Sequence, residues 1–169
     1  MKDTKWLIAR EIPYLRRYAM ALLRDRDAAD DLVQDCLERA LNKHALWHRR
    51  GRLRNWLYRM LYNLHVNQAK DSRRARYVSA VDSMEGHLAQ PARQETFVEC
   101  RDMAQALSDL PDEQRAVLVL IAVDGLGYQE AAWVLEVPVG TVRSRLFRAR
   151  ESLRKRMDSG QVRRLRRVK

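Results

Sequence analysis

Residues 125–153 read GLGYQEAAWVLEVPVGTVRSRLFRARESL, and they carry the strongest local structural signal in the chain. Its first half places the small or apolar residues Ala131, Ala132 and Leu135 on one side of a short helix, where a second helix must approach closely. The letters VPVG then break the helix, and TVRSRLFRAR begins another one with arginines on its outer face. A short helix, a tight break and a longer helix predict a helix-turn-helix motif.

The second helix of this motif carries residue types that suit duplex DNA. A helix fits the major groove, where arginine can make paired hydrogen bonds to guanine and hydroxyl groups can hold phosphates. The alternative is that the arginines only solvate an exposed helix, but the lengths of the preceding helix and turn favour DNA contact. Val142, Leu146 and Ala149 are predicted to face the core. The candidate DNA contacts are Thr141, at a phosphate, and Arg143, Ser144, Arg145 and Arg148.

Upstream of the motif, the run AVLVLIAV at 116–123 is the other strongly apolar segment of this half of the chain. It could be a buried strand or a buried helix. Its place directly after PDEQR favours a helix, because proline suits a first helical turn and acidic residues stabilise one. Further helices are expected over Tyr128–Glu136 and from Pro138 to about Met157, and no segment favours a strand. The prediction is an all-α fold.

A second segment, 48–76, interleaves aromatic residues with nine basic residues and only one acidic residue. Aromatic faces stack on unpaired bases and basic side chains follow the phosphate backbone, so this composition suits single-stranded DNA. Aromatic residues at helical spacing are, however, more often core residues. We expect Trp56 to pack on one stripe with Met60 and Leu64, with Leu57 and Leu61 beside it. The residues better placed for nucleic acid are Tyr58, Tyr62, Asn63 and Asn67.

A third segment, DAADDLVQDCLERAL at 27–41, concentrates acidic residues in a chain whose formal net charge is +11. Its apolar side holds Leu32, Cys36 and Ala40, as in an amphipathic helix. An acidic face is a poor partner for nucleic acid. It would meet a basic protein surface, or it would simply be solvated; the residues alone leave both interpretations open.

Chain length, helical periodicity and cysteine content narrow the possible classes of protein. At 169 residues the chain can hold one ordinary domain or two small helical ones. Helical periodicity begins at Ile12–Leu23 and fades from Tyr77 to about Phe97, where we place a connector between two domains. Two cysteines are too few for a disulfide framework or a thiolate metal site, and no apolar run reaches the length of a membrane span. We expect a reduced, cytoplasmic protein without membrane insertion.

The three segments, in this order, resemble an extracytoplasmic-function (ECF, group four) sigma factor of the sigma-70 family, subunits that direct bacterial RNA polymerase to promoters. The resemblance spans about Ile12 to Met157 and rests on DAADDLVQDCLERAL, LRNWLYRMLYNLHVNQAKDSRR and LSDLPDEQRAVLVLIAVDGLGYQEAAWVLEVPVGTVRSRLFRARESLRK. It implies sigma domain two over 1–76, a connector over 77–99, sigma domain four over 100–157 and a basic tail over 158–169. The tail, with QVRRLRRVK, departs from the family pattern.

The resemblance also implies a role for each segment. The acidic helix would dock on the clamp helices of core RNA polymerase, and residues 118–123 would cradle the flap tip. The loop at 47–54 would capture a base flipped from the melted non-template strand of the minus-ten element. The helix-turn-helix would read the minus-thirty-five element as duplex, and an anti-sigma factor would hold the protein inactive until a stress or envelope signal. The polymerase-binding residues would be Asp30, Asp31, Gln34 and Asp35, and the minus-ten residues Arg49, Arg50, Arg52, Arg54, Asn55, Tyr58, Arg59, Tyr62, Asn63 and Asn67.

Three other classes of protein are less well matched. A sigma-like decoy that sequesters an anti-sigma factor normally carries a receiver domain and loses its DNA-contacting arginines, whereas this chain keeps them. A plain helix-turn-helix regulator leaves the acidic and aromatic segments unexplained. An enzyme is disfavoured, because Gly125 and Gly127 lack the third glycine and the strand of a dinucleotide site, and the histidines have no metal-binding spacing. No cofactor is expected.

Overall fold

The computed structural model describes residues 2–43, 47, 52–78 and 105–167, all of them helical or in turns between helices. The chain divides into two compact units, Met1–Pro91 and Ala92–Lys169. The described part contains no strand, which confirms the all-α prediction. Most of the predicted connector, 77–99, lies outside the described residues, and its first two residues belong to the last helix of the first unit.

The first unit consists of α1 (Lys2–Leu23), α2 (Arg26–Lys43) and α3 (Leu53–Val78). Helix α1 begins about three turns before the predicted Ile12, because Ile8 is buried and extends its apolar stripe toward the N-terminus. The break between α1 and α2 is tight. Arg24 adopts a positive φ of 60°, and the Asp25 carboxylate accepts a hydrogen bond of 2.9 Å from the Ala28 amide, so it caps the start of α2.

Helix α3 packs into the core mainly through Leu57 and Leu61, predicted to lie beside the Trp56–Met60–Leu64 stripe, and Leu64 of that stripe is also buried. The fully buried residues are Leu57, Tyr58 and Leu61, whereas Trp56 and Met60 are half-buried. The core face is therefore rotated by about one residue, or 100°, from the Trp56–Met60 stripe. The reason is a non-local partner, since α3 packs against both α1 and α2.

The core of the first unit contains a pair of buried tyrosine rings and a buried cysteine thiol. The rings of Tyr18 and Tyr58 are both fully buried, with centroids 5.1 Å apart and planes tilted by 59°, a favourable arrangement for aromatic pairs. The Cys36 thiol lies 3.6 Å from the Leu57 carbonyl oxygen, to which it donates a hydrogen bond. Desolvation by burial raises the pKa of Cys36 to about 12. This thiol stays protonated at neutral pH, as expected of a core residue.

The second unit contains a helical turn at 105–108, α4 (Asp112–Leu118), α5 (Tyr128–Leu135) and α6 (Val139–Arg167). Helix α4 continues into a π-helical turn at Val119–Val123, where the Asp124 amide donates to the Val119 carbonyl at 3.0 Å. The apolar run 116–123 is thus helical, as predicted. Helix α6 extends beyond the predicted Met157, so the backbone of the basic tail continues the helix as far as Arg167.

A buried arginine organises the turn that leads into α4. The Arg115 side chain is 2% exposed, and its guanidinium donates to the Leu110 carbonyl at 2.7 Å and to the Ser108 carbonyl at 3.2 Å. It also pairs with the carboxylate of Asp112. A buried charge is tolerated only when its hydrogen bonds are made, so these contacts fix the backbone of 108–112.

The turn between α5 and α6 has the geometry that a helix-turn-helix needs. Glu136 ends α5 in the left-handed region, with φ 55° and ψ 42°, and the Val137 amide donates back to the Ala132 carbonyl at 3.2 Å. The Thr141 amide then donates to the Pro138 carbonyl at 2.9 Å, which starts α6 immediately. The predicted helix-turn-helix is confirmed in its elements and its turn.

Candidate nucleic-acid and protein interfaces

The first turns of α6 present a mixed polar and aromatic surface. Arg143, Ser144, Phe147 and Arg148 are exposed, whereas Val142, Leu146 and Ala149 are buried as predicted. The outward residues repeat three or four positions apart, so they share one face of the helix. The residues Val142, Leu146 and Ala149 anchor the opposite face in the core of the second unit.

Local contacts orient two of the exposed groups. The guanidinium of Arg143 lies 5.7 Å from the ring centroid of Tyr128, close enough for a cation–π contact. The Ser144 hydroxyl donates to the Thr141 carbonyl at 3.0 Å. Thr141 itself is half-buried at the start of the helix.

Arg145 was predicted to belong to this outward face, and the structure places it elsewhere. Its guanidinium forms an ion pair of 2.6 Å with the Glu113 carboxylate of α4, and its side chain is only 17% exposed. The position lies about 100° around the helix from Ser144, which turns the side chain toward α4. Arg145 is therefore an intramolecular contact in this structure.

Phe147 is a member of the outward face that the sequence interpretation missed. It is 67% exposed, although phenylalanine is usually buried. A phenylalanine in the major groove can contact the methyl group of thymine. The signal was present in the spacing, because Phe147 stands one helical turn after Ser144 and Arg143, on the face already assigned to DNA.

On α3, the structure removes Tyr58 from the candidate DNA contacts. Its ring is fully buried against Tyr18 and cannot stack on a base in this conformation. The correction has the same cause as the rotated core stripe of α3. Asn55 is also buried, at 9% exposure, so only a small part of its amide is accessible. Tyr62 is half-buried, with its ring centroid 6.5 Å from that of His65.

Arg54 is engaged within the first unit. Its Nε donates to the Glu11 carboxylate at 2.5 Å, and its guanidinium carbon lies 3.4 Å from the ring centroid of Tyr14. Desolvation lowers the pKa of Arg54, but the hydrogen bond and charge of Glu11 outweigh it and raise the pKa above its ordinary value. Arg54 thus ties α3 to α1 rather than projecting freely toward a ligand.

The other predicted minus-ten residues differ in accessibility. Arg52 and Asn67 are exposed, and Arg59 and Asn63 are half-buried. The candidates Arg49 and Arg50 lie outside the described residues. The predicted minus-ten residues of α3 that remain accessible are Arg59, Tyr62, Asn63 and Asn67, a polar and aromatic strip, with Arg52 just before the helix.

The acidic face of α2 is accessible along its length. Asp31, Gln34 and Asp35 are exposed. Asp30 is held by an ion pair of 2.9 Å with Arg16 of α1, although 45% of its side chain remains exposed. Asp35 accepts a hydrogen bond of 3.4 Å from the Gln68 amide of α3. The four predicted residues thus share one side of α2, and two of them also contact the neighbouring helices.

The segment predicted to hold the flap tip, 118–123, is buried in its first half and accessible toward its end. Leu118, Val119 and Leu120 are buried, whereas Val123 is 53% exposed at the end of the π-helical turn. In the described part of the chain, no helix combines the length and apolar character needed to cross a membrane. No group of three His, Cys, Asp or Glu side chains among these same residues is placed to hold a metal ion.

Comparison with known proteins identifies both units. The profile "Sigma-70, region 4" matches residues 100–153, and "Sigma2 domain of PhyR" matches residues 8–62. The ECF RNA polymerase sigma factor EcfG of Rhodopseudomonas palustris (strain TIE-1) is 34% identical over 146 residues, which cover 84% of this chain and 78% of the relative. This chain belongs to the ECF sigma factors.

Other members of the ECF sigma factors agree in sequence and in fold. The ECF RNA polymerase sigma-E factor of Escherichia coli (strain K12) is 31% identical over 134 residues, covering 73% of this chain and 70% of the relative. A structure of the sigma factor RpoE in complex with the anti-sigma factor NepR, from Bartonella quintana, superimposes with a TM-score of 0.81. It is 31% identical and covers 94% of this chain and 98% of that one. The similarity therefore extends over both units.

Proposed function

We propose that this ECF sigma factor binds core RNA polymerase, directs promoter-specific initiation and is controlled by an anti-sigma factor. The observation that carries the proposal is the presence, in one chain of this family, of an exposed DNA-compatible face on α6 and an exposed acidic face on α2. A sigma factor needs both, because one surface selects DNA and another holds the enzyme. The polymerase performs the chemistry in the cytoplasm, so no catalytic residue is assigned to this chain.

Reading of the minus-thirty-five duplex is assigned to the outward face of α6. Arg143 and Arg148 can donate paired hydrogen bonds to guanine, and Phe147 offers an apolar contact to thymine. Ser144 can bond either a base edge or a phosphate, and Thr141 lies at the helix start, where phosphates are favoured. Each specific arginine–guanine contact contributes about 1–3 kcal/mol of discrimination.

Melting of the minus-ten element is assigned to the strip on α3 and the loop before it. Tyr62 is the aromatic residue of this strip that can stack on an unpaired base, which contributes about 1–3 kcal/mol per base. Asn63 and Asn67 can bond base edges, and Arg52 and Arg59 can follow the backbone. Arg49 and Arg50 retain the role that the sequence suggests for them. Tyr58 is not part of this proposal, because its ring is buried. Arg54 is not assigned a DNA contact either, because it binds Glu11 and packs on Tyr14.

Docking on the polymerase clamp helices is assigned to Asp31, Gln34 and Asp35, with Asp30 at the edge of the same surface. The charge of these residues complements a basic protein surface and disfavours DNA at the same place. Val123, at the exposed end of the π-helical turn, is the residue of the second unit best placed to meet the flap tip.

Control by an anti-sigma factor is proposed from the similarity to the sigma factor RpoE of Bartonella quintana, whose structure is a complex with the anti-sigma factor NepR. A partner that covers α2 or α6 would block the polymerase or the promoter. A stress or envelope signal would release such a partner.

Run-off transcription tests the proposal directly. Purified core polymerase is assayed with and without the full chain on a library of genomic fragments, and we expect discrete transcripts only when the chain is present. Binding to core without initiation from any fragment would refute the sigma activity. That outcome would instead favour a decoy that sequesters an anti-sigma factor, the second candidate, which the match of residues 8–62 to the sigma2 domain of PhyR supports.

A further inference from the structure

Two arginines of α6 face away from the proposed DNA surface and pair with carboxylates at the start of α4. Arg145 pairs with Glu113 at 2.6 Å, and Arg156 pairs with Asp109. Positions 145 and 156 are about three helical turns apart, so they lie on the same side of α6. The two ion pairs therefore join α6 to α4 and to the turn just before it, at two points along the axis of α6.

The carboxylates that make these pairs stand on a rigid support. Asp109 lies within the backbone of 108–112, and Glu113 follows it directly; Arg115 fixes this backbone through its hydrogen bonds to Ser108 and Leu110. Because the Arg115 side chain is buried, this support does not depend on flexible surface groups. The backbone that carries both carboxylates is therefore fixed, while the side chains of Glu113 and Asp109 are themselves 64% and 36% exposed.

The geometry of Arg145 distinguishes it from the arginines proposed to read DNA. Arg143 and Arg148 are exposed, whereas the Arg145 side chain is 17% exposed and its guanidinium is occupied by Glu113. To reach a base, Arg145 would have to break that ion pair and change its side-chain direction. The free energy gained from a base contact by Arg145 would therefore be offset by loss of its ion pair with Glu113.

We infer that the Glu113–Arg145 ion pair acts as a clamp, unrelated to the polymerase clamp helices, that sets the orientation of the DNA-reading helix. Arg145 is then a positioning residue rather than a base contact. The inference rests on the proposed function, because orientation matters only if α6 reads duplex DNA. Rotation of a helix in the major groove changes the reach of all its outward side chains together. Loss of the clamp therefore weakens recognition at several base pairs, not at one.

The test compares base preferences of full-length variants bound to core polymerase. The probe is a pool of duplexes with a randomised segment, from which each holoenzyme selects its preferred sequence. The variants are Glu113→Ala, Arg145→Ala and the exchanged pair Glu113→Arg with Arg145→Glu. Arg154→Ala is the matched control, because Arg154 pairs with Glu151 on the same helix and does not reach α4.

We expect each single clamp variant to bind the selected duplex about three- to tenfold more weakly, with reduced preference at several positions together. The exchanged pair should recover most of that loss, and Arg154→Ala should select the same sequence as the wild type. Three results would overturn the inference. They are wild-type affinity and preference in Glu113→Ala, loss of preference at a single base pair in Arg145→Ala, and no recovery in the exchanged pair.

Failure of the proposed function gives a different result from failure of the clamp. If the wild-type holoenzyme selects no sequence, duplex reading by α6 is refuted. The clamp is then judged by hydrogen exchange of the amides in 139–157. It stands in its structural part if Glu113→Ala accelerates that exchange and the exchanged pair reverses the effect, and it fails if exchange is unchanged.

Discussion

Replacing Arg115 with methionine should destabilise the second unit by about 3 kcal/mol, because two carbonyl groups lose the charged donor that satisfies them. Methionine keeps the apolar stem, so the change removes the guanidinium and little of the packing. The carbonyls of Leu110 and Ser108 then lose their donor, and a hydrogen bond to a charged group contributes about 1.5–3 kcal/mol. Release of the guanidinium from a site of 2% exposure offsets part of this loss.

Hydrogen exchange read by mass spectrometry can measure this effect for each unit separately. A loss of about 3 kcal/mol accelerates exchange of the most protected amides in 112–135 by roughly a hundredfold. Amides in α1 and α2 serve as the internal control and should exchange as in the wild type. Asp112→Asn should cost less than about 1 kcal/mol, because that carboxylate is 60% exposed. Exchange in Arg115→Met within about threefold of wild type would refute the assigned role of the buried guanidinium.

Four further predictions concern the first unit. In a Cys100→Ser background, Cys36 should resist alkylation at pH 8 in the folded protein, because its pKa of about 12 keeps the thiol neutral; fast labelling would contradict its burial. Because the pKa of Cys36 is raised above the ordinary 9.0, the thiol should make the free energy of unfolding fall as pH rises from 9 toward 12. In denaturant titrations, Cys36→Ala should reduce this dependence of the unfolding free energy on pH. Tyr58→Ala should destabilise the first unit by about 3–5 kcal/mol in urea titrations. Tyr62→Ala should leave that stability nearly unchanged and slow promoter opening in permanganate footprinting. Equal stability losses in the two variants would contradict the assignment of Tyr58 to the core and Tyr62 to DNA. Asp31→Arg should weaken binding to core polymerase in a fluorescence titration without changing the far-ultraviolet circular dichroism, and unchanged affinity would argue against the clamp-helix surface.

The parts of the fold that sequence predicted best depend on local chemistry. Pro111 and the acidic residues after it placed the start of α4, and the break at VPVG placed the turn before α6. The burial of Val142, Leu146 and Ala149 followed from helical spacing alone. Each of these features involves residues within a few positions of one another, where the periodicity of the backbone governs the outcome.

The errors share a cause in contacts between distant residues. Tyr58 belongs to the core because Tyr18 of α1 packs on it, and nothing near position 58 marks that partner. Arg145 turns inward because Glu113 lies opposite it on another helix. In both cases the residue type suited DNA, and only the three-dimensional neighbour determined that the side chain was already occupied.

The division of the chain into two compact units has a consequence for its biosynthesis. Within each unit, helices pack on helices that are close in sequence, so few long loops must be closed during folding. Such topologies fold fast, and domains tend to fold as they leave the ribosome. The first unit can therefore reach its native state while the second is still being translated, which limited proteolysis of nascent chains can detect. A substitution that unfolds α4–α6 should leave a folded N-terminal half in the cell.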